Sequence, residues 1–209
     1  MESSETERAD GLGGGWWHVV SGLPRSGTSL MMQVCEAAGI PVFTDGRRGA
    51  DDSNPRGYYE HAGVAGLLQE GDRSWLAGAR GKVVKVVAPL LTALPEMVVG
   101  DGERVRVVFM EREIEEILES QGAMLARLGK PAVSEANRAV LARVFERKVE
   151  EALAWMELRG IRCLRVRYGE LVRAPEKVLP GLAAFLGVEG REGEMGAVIR
   201  PGLYRARGG

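Results

Sequence analysis

The chain has 209 residues, 45% of them hydrophobic, and a formal net charge of −1. That size suits one domain, with roughly 70% of the unfolded surface buried on folding. The near-neutral balance gives no ground for a nucleic-acid or membrane partner, and no apolar stretch approaches the roughly 20 residues of a membrane span. Residues 1–15 are acidic and then glycine-rich, without the basic and apolar regions of a signal peptide. They read as a disordered lead-in to a single domain over 16–209. Cys35 and Cys163, with no metal-ligand spacing, read as reduced core residues of a cytoplasmic protein.

The first informative stretch runs from Trp17 to Leu30. An apolar run ends in Ser21-Gly22, a turn with Pro24 and Gly27 follows, and Leu30, Met31, Val34, Cys35 and Ala38 then recur at helical spacing. This is strand, tight loop, helix, an arrangement that points backbone N–H groups and the positive end of a helix dipole at an anion. Gly22 and Gly27 have the spacing of the phosphate-binding G-x-x-x-x-G-K-[ST] loop, but Thr28 holds the lysine position and Ser29 follows. The cation has moved inside the loop, to Arg25. A nucleotide that is not used as a triphosphate donor fits such a loop.

Downstream, Gly39 to Phe43 reads as a short strand. A long polar stretch, Thr44 to Gly57, carries Asp45, Arg47, Arg48, Asp51, Asp52 and Arg56, and long loops are more often functional. Tyr58 to Glu70 reads as a helix. Lys82 to Ala88 is a nearly continuous apolar run, as in a strand covered on both faces and ended by Pro89. Arg104 to Met110 is another such strand. Glu113 to Leu128 is a helix with Ile114, Ile117, Leu118, Leu125 and Leu128 inward, broken by Gly129-Lys130-Pro131. Glu135 to Arg159 is a long helix, Ile161 to Val166 the last strand, and Gly169 to Val172 and Pro175 to Leu186 two further helical pieces. The tail from Gly193 has little periodicity. Alternating strands and helices predict an α/β fold of P-loop type, three-layered, with a central parallel sheet flanked by helices.

Leu23-Pro24-Arg25-Ser26-Gly27-Thr28-Ser29-Leu30 resembles the 5′-phosphosulfate loop of the sulfotransferases. These enzymes move a sulfuryl group from 3′-phosphoadenosine 5′-phosphosulfate to a hydroxyl or amine. The Pro-Arg-Ser-Gly-Thr form is nearer the bacterial and protein-tyrosine members than the cytosolic ones, which carry Pro-Lys-Ser-Gly-Thr. The resemblance implies that Pro24 to Ser29 bind the donor. It also implies that Arg112 and Ser120, placed after a strand and eight residues apart, hold the donor's 3′-phosphate, a role suited to a forked guanidinium and a hydroxyl. Arg112-Glu113-Ile114 departs from the family's Arg-Asn-Pro or Arg-Asp-Pro. Tyr168, in Val166-Arg167-Tyr168-Gly169-Glu170-Leu171, matches a tyrosine that packs near the adenine. The resemblance covers roughly Val19 to Val188.

The general base is less legible. Cytosolic members use the histidine of Lys-Thr-His-Leu-Pro, and Val87 fills that position in Lys85-Val86-Val87-Ala88-Pro89. In protein-tyrosine members the base is a glutamate twenty residues past the loop arginine, which counts to Asp45 here. Glu60 is the second candidate and His61, which titrates near neutrality, the third. Lys85, in a strand otherwise of valines, needs a reason to be there. It either contacts the transferred group at the strand's carboxyl end or snorkels at the sheet rim. No metal is expected, because the sulfuryl group carries less charge than a γ-phosphoryl group. The acceptor is a small molecule or a peptide, its pocket shaped by 44–57 and 130–136. The rival readings are a small-molecule kinase or nucleotide phosphohydrolase with an altered loop, suggested by a Walker B-like Val107 to Glu111, and a non-catalytic nucleotide-binding module.

Overall fold

The computed structural model describes residues 16–47, 49, 57–100 and 104–200. The expected lead-in 1–15, Arg48, Asp51, Asp52 and Arg56 of the polar stretch, and the tail from residue 201 lie outside the described residues.

Five strands form the sheet: β1 (Trp17–Gly22), β2 (Val42–Phe43), β3 (Val83–Lys85), β4 (Val105–Glu111) and β5 (Arg162–Arg167). Their order is β2-β3-β1-β4-β5, and every neighbouring pair is parallel. Every residue of β1 is buried, as a central strand with both faces covered requires. Its alternate side chains feed two cores. Trp17 and Val19 join Val107 and Phe109 of β4 on one face, while Val20 joins Val108 and Met110 on the other. The first face is covered by α3 (Ala88–Leu91), α5 (Ile114–Arg127) and α6 (Glu135–Leu158). The second is covered by α1 (Thr28–Ala37), α7 (Tyr168–Arg173), α8 (Pro175–Leu186) and α9 (Glu192–Ala197). The expected three-layer α/β architecture is therefore the one observed. The chain leaves β1 towards β2 but leaves β4 towards β5, so the order reverses between β1 and β4. Ligands of open α/β sheets bind at the carboxyl ends of strands beside such a reversal.

Several element boundaries differ from the expected ones. The helix over 58–70 shrinks to one turn, α2 (Ala62–Ala65). Gly63 and Gly66 weaken a longer helix by about 1 kcal/mol each, and residues 58–60 are irregular instead. The strand over 82–88 stops at Lys85, and Pro89 opens α3 rather than merely ending a strand, because a proline costs nothing in a first helical turn. Leu128, expected inward, is 63% exposed at the end of α5. In the tail, α9 forms despite its glycines because Met195 is buried against the second core. A 3-10 turn (Ser74–Ala79) and a short α4 (Glu96–Val99) complete the described elements. Cys35 is buried and Cys163 half-buried, both as free thiols, with burial pushing Cys35 up to about 12 and Cys163 to about 11. Among the described residues no helix is long and apolar enough to cross a membrane.

Candidate functional site

The loop between β1 and α1 lies at the carboxyl end of the central strand. Gly22 has φ 140°, and a Cβ there would collide with the carbonyl oxygen of Met110 on β4 and with the Ser26 hydroxyl. Gly27 caps α1 in the left-handed region at φ 101°, and a Cβ there would run into the ring of Tyr168. Between them Arg25 sits at φ 73°, a conformation a side-chain-bearing residue adopts only when its surroundings impose it. The surroundings do so. The Arg25 Nε donates to Ser120 Oγ on α5 over 3.0 Å, and its carbonyl accepts from Arg112 Nη1 over 3.1 Å. Arg112 also donates from Nε to Glu116 Oε2 over 2.8 Å and stacks 4.7 Å from the centroid of the Tyr168 ring.

Arg25, Arg112, Ser120 and Tyr168 thus form one connected unit around the loop. Tyr168 backs Gly27 and the Arg112 guanidinium with its ring, and burial pushes its hydroxyl up, against the opposing pull of Arg112. Glu116 was not foreseen as a member. It lies four residues after Arg112, in the first turn of α5. Ser26 is buried under the loop, and its N–H is used on the carbonyl of Leu23 at 3.1 Å.

A second unit stands at the end of β3. Lys85 is only 6% exposed. Its ammonium has three N–H donors and no acceptor capacity, and burying it unpaired would be costly. It donates to the Tyr58 carbonyl at 2.9 Å, to Ser29 Oγ at 3.3 Å and to Glu60 Oε1 at 3.3 Å. The irregular backbone over 58–60, with Tyr59 in the left-handed region at φ 53°, delivers two of these acceptors. Lys85 is therefore a bonded lysine at the strand's carboxyl end, not one snorkelling at the rim.

The three candidate bases separate. Glu60, 40% exposed at its side chain, pairs with Lys85 and lines a cavity of about 810 Å³ beside the loop. Asp45 does not line that cavity among the described residues. Its carboxylate accepts the Ala62 N–H at 2.7 Å, where α2 begins, and the Arg47 N–H at 3.0 Å, and these bonds hold it below the usual carboxylate range. His61 lines the cavity within a stack of rings, 4.4 Å from Phe43 and 5.1 Å from Trp75. Its Nδ1 accepts the Gly63 N–H at 3.1 Å. Neutral His61 then carries its proton on Nε2 and offers the cavity a donor only.

The same cavity is lined by Pro24, Thr28 and Ser29 of the loop and, unforeseen, by Gln33, Arg127 and Arg200. Arg25, Lys85, Arg112, Arg127 and Arg200 face it against two lining carboxylates, Glu60 and Glu119, a balance that attracts an anion. Residues 130–136 are exposed and do not line it. Its wall away from the loop comes instead from α2, α5 and α6. Glu111, at the end of the Walker B-like strand, is engaged by Arg165 of β5 at 2.6 Å.

Neither a protein-family model nor a curated protein sequence matches the chain. Solved structures do. A mouse sulfotransferase, SULT7A1, complexed with PAP, is similar at 18% identity and a TM-score of 0.52, over 96% of this chain and 69% of the mouse one. A sulfotransferase from Alicyclobacillus acidocaldarius is similar at 18% identity and a TM-score of 0.48, over 83% of this chain and 81% of that one. The chain has the fold of the mouse sulfotransferase.

Proposed function

We propose that this chain is an enzyme that transfers a sulfuryl group from 3′-phosphoadenosine 5′-phosphosulfate to a hydroxyl or amine. The observation that carries the reading is the union of Arg25, Ser120 and Arg112 at a phosphate-type loop that has Thr28 in place of lysine. A 5′-phosphosulfate suits the loop N–H groups and the start of α1. A 3′-phosphate suits Arg112 and Ser120, which lie together beside it. A protein of the same fold is complexed with PAP, and we take adenosine 3′,5′-bisphosphate (PAP) as the product here.

In the reaction the acceptor oxygen forms a bond to sulfur as the bond from sulfur to the 5′-phosphate oxygen breaks. Negative charge grows on that leaving oxygen. Arg25, the loop N–H groups and Thr28 stabilise it, with no rearrangement needed at the moment of transfer. The acceptor proton passes to Glu60. What supports Glu60 over Asp45 is its position in the cavity beside Lys85, whereas the Asp45 oxygens serve two backbone N–H groups. Lys85 pairs with Glu60 and stands where it can also meet the transferred group.

Calorimetry tests the donor. PAP binds without metal, and ATP with Mg²⁺ binds far more weakly. Tighter binding of ATP that depends on Mg²⁺ would replace the sulfuryl-transfer reading with a kinase.

A further inference from the structure

Glu60 reaches the cavity from a stretch of chain that belongs to neither a helix nor a strand. No backbone ladder therefore fixes where its carboxylate stands. Single hydrogen bonds fix it instead. On one side Thr44 Oγ1 donates to the Glu60 carbonyl at 2.8 Å, and the Asp45 N–H donates to the same oxygen at 3.3 Å. On the other side the Tyr59 hydroxyl donates to Glu36 Oε2 at 2.8 Å, across 23 positions of sequence. Glu36 lies in the last turn of α1 and Ser29 in its first. The seven residues between them make about 10 Å along the helix axis. Lys85 joins Ser29 to the Tyr58 carbonyl and the Glu60 carboxylate. Residues 58–60 are thus fastened to α1 at both of its ends, by Lys85 at the start and by Tyr59 at the finish.

The backbone of Tyr59 needs such a fastening. Its φ of 53° is left-handed, a conformation that an aromatic residue adopts only when its surroundings impose it. The turn at Tyr59 brings the carbonyl before it and the carboxylate after it onto one ammonium. The Tyr59 ring packs against the second core, and its hydroxyl adds a charge-assisted bond that fixes the direction of the chain. Resting on the sulfuryl-transfer reading with Glu60 as proton acceptor, we infer that Tyr59 and Glu36 are a positioning pair. Their bond holds residues 58–60 against the helix whose start receives the donor, and so sets the Glu60 carboxylate relative to the reacting atoms. Neither residue lines the cavity, so both act through Glu60. A displacement of about 1 Å at a reacting group can cost a hundredfold in rate. The pair is therefore felt in turnover and not in nucleotide binding.

The test uses the full chain, labelled donor and the acceptor that turns over fastest in a panel of phenols, sugars, amines and tyrosine peptides. Tyr59→Phe keeps the ring and removes only the hydroxyl. Its kcat should fall roughly ten- to a hundredfold, with PAP affinity unchanged. Glu36→Ala should match it, and the two together should be no slower than either alone, because both remove one bond. Glu36→Gln, whose amide oxygen still accepts, should recover most of the loss. In a Glu60→Gln background Tyr59→Phe should add nothing, whereas a general loosening of the fold would add its full effect. Native kcat in Tyr59→Phe, or additive losses with Glu60→Gln, overturns the positioning role. If the native chain sulfates nothing in the panel, or Glu60→Gln turns over at the native rate, the reading of the reaction fails on its own. Hydrogen exchange on the bare chain then decides the pair. The Asp45 N–H, bonded to the Glu60 carbonyl, should exchange about tenfold faster in Tyr59→Phe while the amides of β1 keep their native rates. An unchanged rate at Asp45, or equal acceleration in β1, overturns the inference.

Discussion

Arg25 and Ser120 lie 95 positions apart, yet the Arg25 Nε donates to the Ser120 hydroxyl over 3.0 Å. The contact ties the cation of the loop to helix α5, which also carries Glu116, the partner of Arg112. The loop after β1 and the first half of α5, remote in sequence, are thereby held as one unit. Arg112→Ala separates their contributions. PAP affinity should fall roughly ten- to a hundredfold, the scale of a charge-assisted hydrogen bond, while adenosine 5′-phosphate affinity changes little. Calorimetry with both ligands checks this, and equal losses for the two would remove Arg112 from the 3′-phosphate.

In the proposed reaction Arg25 serves a different moment. Its left-handed backbone and its bond to Ser120 hold the guanidinium beside the loop before any donor arrives. Arg25→Ala should cut turnover roughly a hundred- to a thousandfold, the loss seen when one preorganised donor to a developing charge is removed. PAP affinity should fall as well, because the product carries that charge too. Single-turnover kinetics with labelled donor measures the chemical step apart from binding. A variant that binds PAP weakly but turns over at the native rate would show that Arg25 binds without stabilising the transition state.

Glu60 and Asp45 respond differently to the loss of charge. Glu60→Gln removes the proton acceptor, so turnover should drop by roughly a hundred- to ten-thousandfold across the pH range. Asp45→Asn keeps an oxygen able to accept the Ala62 N–H, so turnover should stay near the native level. Asp45→Ala removes that acceptor from the Ala62 N–H, while His61 Nδ1 still caps the Gly63 N–H, so stability should fall only slightly. Turnover assays and urea unfolding on the three variants check the set. Loss of activity in Asp45→Asn with Glu60→Gln unaffected would reverse the two roles.

The loop was legible in the sequence because its signal is local. Gly22, Gly27 and the helix that follows are spaced by the geometry of one turn, and the left-handed residues are those the turn requires. Arg112 and Ser120 were legible because both flank one predicted strand and helix. The Lys85 site was only half legible. A lysine among valines announces itself, but its acceptors come from Ser29, 56 positions away, and Glu60, 25 positions away, and no periodicity encodes them. Counting from Arg25 favours Asp45, and a count carries no geometry. Distance along the chain does not reveal that the Asp45 oxygens are taken by the backbone of α2. The helix expected over 58–70 failed similarly, since the irregular segment 58–60 brings a carbonyl and a carboxylate to Lys85.

His18 carries the last prediction, which concerns stability. It lies on the central strand β1, is 2% exposed, and pairs in register with Arg106 of β4. Its Nδ1 is buried without a hydrogen-bond partner among the described residues. Burial first, and the Arg106 guanidinium second, lower its pKa from 6.5 to about 4. The unfolded chain therefore takes up a proton at a pH where the folded chain does not. Above about pH 6.5 both states are neutral at this site and stability is flat. As pH falls from 6.5 towards 4 the unfolded state is increasingly favoured, by about 1.4 kcal/mol per unit and roughly 3 kcal/mol in all. Most carboxylates remain ionised above about pH 5, so the window from 7.5 to 5 isolates the histidine. Urea unfolding across that window should show the native chain losing stability as pH falls. His18→Gln, which cannot titrate, should lose that slope whatever its absolute stability. Only one other histidine, His61, is present, and His61→Gln should retain the slope. A slope that persists in His18→Gln and vanishes in His61→Gln would assign the titration to the cavity and not to the strand.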